Sequence, residues 1–447
     1  MDISKQLWLA GIDAEERARL ERWGNAWAWY FGNNPKPLTV KPNQANDNVT
    51  INYARLIVNT AASYLFGVEP TFQLDATATT ESEAETWLNE CWRVNKKMLL
   101  LQKVAINGAV CGHTFIKIIP DSPLTPGFPR LIAMNPEYVT VVTDPDDIDL
   151  VWRYIIAYPA RGKNGEHLTI KQTMERNDAG RWTITDEVSE GSQKFRIVQQ
   201  TLWPWAWAPI IDCQNLPSPN EYYGIADLEP DVLAVNHAIN FTMSNLQRII
   251  RFHAHPKTWG RGFNANQLKV GVDETIVLPG ENAELHNLEM QSDLTSSLAY
   301  YARLKEALHE VSRVPEVATG KLESTGALSG VALQLLYGPL VQATEAKRLT
   351  YGEMLTELNL RLLEMGGRIA LQTPTIVWPE ILPKNALEER QVALLDKQLG
   401  ASADTLLTQL GYDAEAEAAK KETEMANMGE QLLTAFDRGQ MADDGQP

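Results

Sequence analysis

Residues 231–250 read DVLAVNHAINFTMSNLQRII and residues 293–313 read DLTSSLAYYARLKEALHEVSR. In the first, Val232, Val235, Ile239, Met243, Leu246 and Ile250 recur at steps of three and four. In the second, Leu294, Leu298, Tyr301, Leu304, Leu308 and Val311 do the same. That spacing puts one apolar stripe on each of two helices, predicted over 226–253 and 293–313. Pro256 ends the first helix. Between the two, residues 254–292 hold four glycines and strand-like Thr275–Leu278, a small mixed α/β tip. The helices are expected to pack antiparallel as a stalk carrying that tip. The other faces of the first helix carry Asn236, Asn240, Ser244 and Gln247. Such residues suit either a wall packed between subunits or a solvated face.

Working outward, Val314-Pro315 closes the stalk, and 314–329 reads as a loop with Gly320 and Gly326. Ser329 is a candidate N-cap for a third long helix, 330 to about 364, with Leu333, Leu336, Leu340, Ala343, Tyr351, Leu355, Leu358 and Leu362 on its stripe. Gly338-Pro339 inside it predicts a kink. On the N-terminal side, helices are expected over 1–31, Ile51–Phe66 and Ser82–Val110. Seven short β-branched and aromatic runs follow, from Thr114–Ile119 to Phe195–Gln199. Lys163-Asn164-Gly165 and Asn177-Asp178-Ala179-Gly180 are hairpin turns, so a meander is expected. Residues 383–447 read as an acidic helical segment with a disordered tail. The fold class is α+β.

The chain has 447 residues, with 40 Lys+Arg against 57 Asp+Glu, a formal charge of -17. That excludes a protein that coats nucleic acid by neutralising phosphates, though not one past which nucleic acid slides. The acid is uneven. Residues 383–447 hold 6 basic and 13 acidic residues, 231–271 hold five basic and one acidic, and 272–295 hold six acids and no Lys or Arg. The three cysteines, Cys91, Cys111 and Cys213, form no C-x-x-C pair and read as reduced thiols. No signal peptide or membrane span is expected. Several of the 13 tryptophans fall at 8–29 and 203–207, as packing or interface anchors.

Catalytic signatures fail one by one. Ala318-Thr319-Gly320-Lys321-Leu322 lacks the first glycine and the Ser/Thr of a phosphate loop. His253-x-His255 has no nearby third metal ligand. Asp144-x-Asp146-Asp147-x-Asp149 puts Asp149 where a Ca²⁺ loop needs glycine, so it reads as an acidic turn between strands. No cofactor or metal is expected.

Several segments resemble, in order, the portal proteins of long-tailed bacteriophages (siphoviruses). They are Tyr30-Phe31-Gly32, Asn52–Asn59, Ala62–Pro70, the long helix with its insertion, His309–Pro315 followed by Gly320 and Ser329–Leu333, and Pro383–Glu424 with Ser402–Leu406. The resemblance spans nearly the whole chain. It implies a non-enzymatic ring, typically twelvefold, at one capsid vertex, with double-stranded DNA passing along its axis during packaging and ejection. A separate terminase ATPase would drive the DNA. Terminase, capsid or scaffold proteins and head-completion adaptors would be partners, in a virion component made in the bacterial cytoplasm.

The resemblance also implies domains: wing 1–225, stem helices 226–253 and 293–313, clip 254–292, tunnel loop 314–329, a kinked helix returning to the wing over 330–382, and crown 383–447. Lys321, Glu323, Ser324 and Thr325 would face DNA. Arg248, Arg251, Lys257 and Arg261 are candidates for phosphate contact, for pairing with a neighbouring subunit, or for ordinary surface charge. Gly338 and Pro339 would shape the tunnel wall. Two other readings are an acidic hydrolase acting through paired carboxylates and a different phage head or neck protein.

Overall fold

A computed structural model describes residues 14–43, 45–74, 82–191, 194–254, 258–261, 282–287, 294–319, 330–368, 373–382, 386–412, 416–421, 423 and 425. The chain forms two compact units, Met1–Gly326 with Leu335–Ile381, and Ala327–Gln334 with Leu382–Pro447.

The first described elements of the larger unit are α1 (Ala14–Tyr30) and α2 (Tyr53–Phe66). Asn52 caps α2 by accepting from the Arg55 N–H at 2.9 Å. One helix was expected over 82–110. The structure has two, α3 (Glu83–Val94) and α4 (Lys97–Cys111). Asn95 is the reason for the break. Its side chain donates to the Cys91 and Pro129 carbonyls (2.9 and 2.8 Å) and accepts from the Leu131 N–H at 2.8 Å. Lys96 then turns left-handed (φ 56°) to restart the chain as α4. Asn95 thus fixes the α3–α4 corner to the start of the strand Arg130–Met134.

The predicted runs are strands, but they form two sheets rather than one meander. Strands β2 (His113–Ile119) and β3 (Arg130–Met134) join β9 (Ile210–Gln214) in the order β3-β2-β9. Strands β4 (Val139–Thr143), β5 (Val151–Arg161), β6 (His167–Arg176), β7 (Trp182–Glu190) and β8 (Arg196–Leu202) form an antiparallel meander in sequence order. Gly165 and Gly180 take positive φ (87° and 75°) at the expected hairpin turns. The Asp144 turn is the expected acidic one, with its carboxylate accepting from the Asp146 and Asp147 N–H groups (2.7 and 3.2 Å).

The stalk helices are α5 (Pro230–Ala254) and α6 (Thr295–Ser312), which pack along each other. Strands β10 (Thr258–Arg261) and β11 (Glu284–Asn287) pair between them. The 36-residue α7 (Gly330–Met365) runs on through Pro339. Its residues Tyr351, Met354, Leu355, Leu358, Leu362 and Leu363 are buried in one core with α2, α3 and α4. Strands β1 (Thr71–Gln73) and β12 (Thr375–Val377) pair antiparallel and bring distant parts of the chain together. In the smaller unit, α8 (Ala386–Gln398) and α9 (Ala403–Gln409) follow, with Ser402 capping α9. Among the described residues, no helix is long and apolar enough to cross a membrane.

Candidate functional site

The apolar stripe of α5 is buried where it meets the body, at Val232, Ile239 and Leu246, and exposed at Ile250. Of the four polar residues Asn236, Asn240, Ser244 and Gln247, three are buried within the chain itself, and Gln247 is exposed. Asn236, Asn240 and Ser244 are fully buried, one turn apart, along the chain's own extended segment leading into α2. The Ala54 and Ile51 N–H groups donate to the Asn236 and Asn240 side-chain oxygens (3.3 and 2.8 Å). The Val49 N–H donates to Ser244 Oγ at 2.9 Å, and Asn236 Nδ2 donates to the Ile51 carbonyl at 3.0 Å. An extended strand outside any sheet leaves main-chain groups unpaired, and this side-chain ladder satisfies them. Amides and hydroxyls at i, i+4 and i+8 share one helix face, so the signal lay in the spacing. What that face covers could not be read from it.

Two of the basic candidates, Arg248 and Arg251, continue the ladder. Arg251 Nε and Nη2 reach Asp47 Oδ1 and Oδ2 at 2.8 and 2.7 Å, a two-point pair, and Arg248 Nε lies 3.6 Å from the same carboxylate. The Arg251 hydrogen bonds hold the Asp47 carboxyl below its usual range and push the guanidinium up. Arg261 makes a similar fork with Glu284 (2.9 and 2.7 Å) across the β10–β11 register. Trp259 stacks on His286 beside it, 5.2 Å between ring centroids. The partners of all three arginines in this structure are therefore carboxylates of the same chain. Lys257 lies outside the described residues, as does His255 of the His-x-His pair.

At the far end of α6, Arg313 takes the left-handed conformation and stops the helix. His309 Nδ1 lies 2.7 Å from the Val314 carbonyl, Lys305 pairs with Glu316, and Tyr337 Oη donates to the Val317 carbonyl at 3.3 Å. These contacts anchor the entry to the loop. Lys321, Glu323, Ser324 and Thr325 lie outside the described residues. Gly338 has open space where a Cβ would sit, so packing does not require glycine there.

The described residues hold no group of His, Cys, Asp or Glu suited to a metal ion. The free thiols Cys91 and Cys111 are buried. Burial pushes the Cys91 thiol up to about 12, the setting of an inert core residue.

The chain matches the family described as "Phage portal protein, SPP1 Gp6-like" over residues 9–195 and 232–429. Nothing among the curated proteins matches it. Among solved structures, it is similar to a chain of "Neck of empty GTA particle computed with C6 symmetry", with TM-score 0.51, 15% identity, and 80% of this chain and 90% of that one covered. A chain of "Virion of native gene transfer agent (GTA) particle" gives TM-score 0.49 at 14% identity over 80% and 89%. The first of these supports the fold: helices and sheets in the arrangement of a chain from a particle neck. The family match takes in both the sheet-bearing half and the stalk with its long following helix, and on that ground the chain belongs to the SPP1 Gp6-like family of phage portal proteins.

Proposed function

We propose that this portal protein works as one subunit of a closed ring, twelvefold as its family resemblance implies, at a single capsid vertex. Double-stranded DNA passes along the ring's axis without being read. Terminase, capsid or scaffold proteins and head-completion adaptors dock on the ring, in a virion component made in the host cytoplasm. The role is structural, and a separate ATPase moves the DNA. The family match over both halves of the chain carries this reading. The C6 symmetry of the similar neck is compatible with a ring of twelve. A closed ring needs a heterologous interface, and the exposed apolar residues of the stalk, Phe241, Ile250, Leu298 and Tyr300, suit one.

The charge of -17 per chain favours passage over retention, because affinity for DNA climbs steeply with each neutralised phosphate. The internal pairing of Arg248, Arg251 and Arg261 points the same way, since those guanidinium groups already hold carboxylates. Nothing in the family match or the fold supports the hydrolase reading. Negative-stain microscopy of the purified protein tests the proposal. A ring with a central hole is expected, and a stable monomer at high concentration would overturn it.

A further inference from the structure

The five-stranded sheet has two edges that are treated differently. At the β4 edge, Arg19 donates to the Val139 carbonyl at 3.3 Å and the Val141 N–H donates to Tyr223 Oη at 3.3 Å. Arg19 is itself held between the Trp23 and Tyr223 rings, at 3.9 and 4.2 Å. Side chains therefore close that edge. At the other edge, all seven residues of β8 are exposed, with Ile197 at 63%, Val198 at 58% and Leu202 at 53%. The Trp203 N–H points inward to the Trp182 carbonyl at 2.8 Å. Antiparallel alternation then turns the N–H and C=O groups of Gln200 and Leu202 outward.

A register shift opposite Asp186/Glu187 and the charge of Arg196 guard the first half of β8 in the way edge strands are usually protected. Gln199–Leu202 carry no charge, proline or register shift.

We infer that β8 accepts an extended strand from a different protein of the particle, adding it to the sheet by main-chain pairing. Three observations select that occupant. An open row of peptide groups flanked by β-branched side chains fits an extended strand and little else. A second copy cannot continue the sheet with its own β4, because that edge is closed. Pairing β8 with β8 of another copy is two-fold, whereas neighbours in a closed ring meet through unlike surfaces. Charge is consistent with that choice: residues 194–202 hold Lys194 and Arg196 and no acid, and with Arg196 lying 3.8 Å from Glu190 of β7, Lys194 is the cation an acidic residue of the partner would meet. The incoming strand is expected to be neutral or acidic beside Lys194.

The inference rests on the ring reading, and its test separates the two. Amide exchange at Gln200 and Leu202 is measured on the purified protein, with its oligomeric state checked by microscopy, and on the same protein built into heads. Rapid exchange in the isolated ring and exchange slower by about a hundredfold or more in heads is expected. Rapid exchange in both overturns the inference. Slow exchange already in the isolated ring does so too, and makes a second copy the occupant. Absence of a ring would sink the portal reading instead. Gln200→Pro removes an outward N–H and leaves the β7 pairing intact. It should form rings normally yet enter heads about tenfold less well, the scale of one or two lost main-chain bonds. Normal entry would count against β8 pairing.

Discussion

Lys347 Nζ lies 2.5 Å from Asp227 Oδ2, and the two side chains are 4% and 8% exposed. The pair ties α7 to the segment entering α5. Asp227 also accepts from Asn215 Nδ2 at 3.3 Å, and Tyr351 Oη, one turn further along α7, donates to Asn215 Oδ1 at 3.2 Å. A buried ion pair contributes little net stability but is costly to break on one side. Asp227→Leu or Lys347→Met alone should each lose about 3–5 kcal/mol in chemical denaturation. The double variant should recover most of that loss. Additive losses would show that the two groups do not act as a pair.

Gly108 sits beneath the same network. A Cβ there would lie 2.0 Å from Tyr351 Oη and 3.2 Å from Asn215 Oδ1. Gly108→Ala should cost about 1–3 kcal/mol, because the buried hydroxyl must shift and lose its partner. Tyr351→Phe in the Gly108→Ala background should restore part of that stability, as a thermal melt would reveal.

The ladder on α5 predicts a local effect. Asn240→Ala strips the Ile51 N–H of its acceptor and should cost about 1–3 kcal/mol. Amide exchange at Val49 and Ile51 should quicken well before the core of α4 does. Uniform quickening across the protein would mean that the segment has no independent hold.

Acid should loosen the same segment. Asp47 has a lowered carboxyl pKa because Arg251 hydrogen-bonds its charged form. A depressed folded pKa contributes stability that is present above the ordinary carboxylate range and lost as pH falls through the folded value. Exchange over 47–54 is therefore expected to rise below about pH 4. In Asp47→Asn it should be raised at neutral pH and nearly independent of acid. An unchanged profile in that variant would remove Asp47 from the account.

Pro339 lacks the N–H that would reach back one turn within α7. If the resulting weak point shapes the tunnel wall, Pro339→Ala should alter DNA packaging more than ring assembly. Equal loss in both assays would undo that idea.

Local signals carried most of the fold. β-Branched runs bounded by glycine turns located β2 to β8 within a few residues, and heptad-like spacing located α5, α6 and α7. Long-range pairing left no such trace. Strand β9 lies between Pro209 and Pro217, where proline masks any strand pattern, and only its register with β2 makes it a strand. Asn95 breaks a helix that propensity favours, because three hydrogen bonds to its side chain outweigh one turn of helix. The basic candidates were visible as residues, but Asp47, the partner of Arg248 and Arg251, is about 200 positions away from Arg251 and nothing local links them.

The pairing of Thr71–Gln73 with Thr375–Val377 also bears on biosynthesis. Strand β1 leaves the ribosome about 300 residues before its partner, which at 5–20 residues per second is roughly 15–60 s. The main core has the same delay, since Phe66, Leu88 and Leu101 wait for Tyr351, Leu355 and Leu362. A nascent subunit therefore cannot close its body until most of the chain has been made.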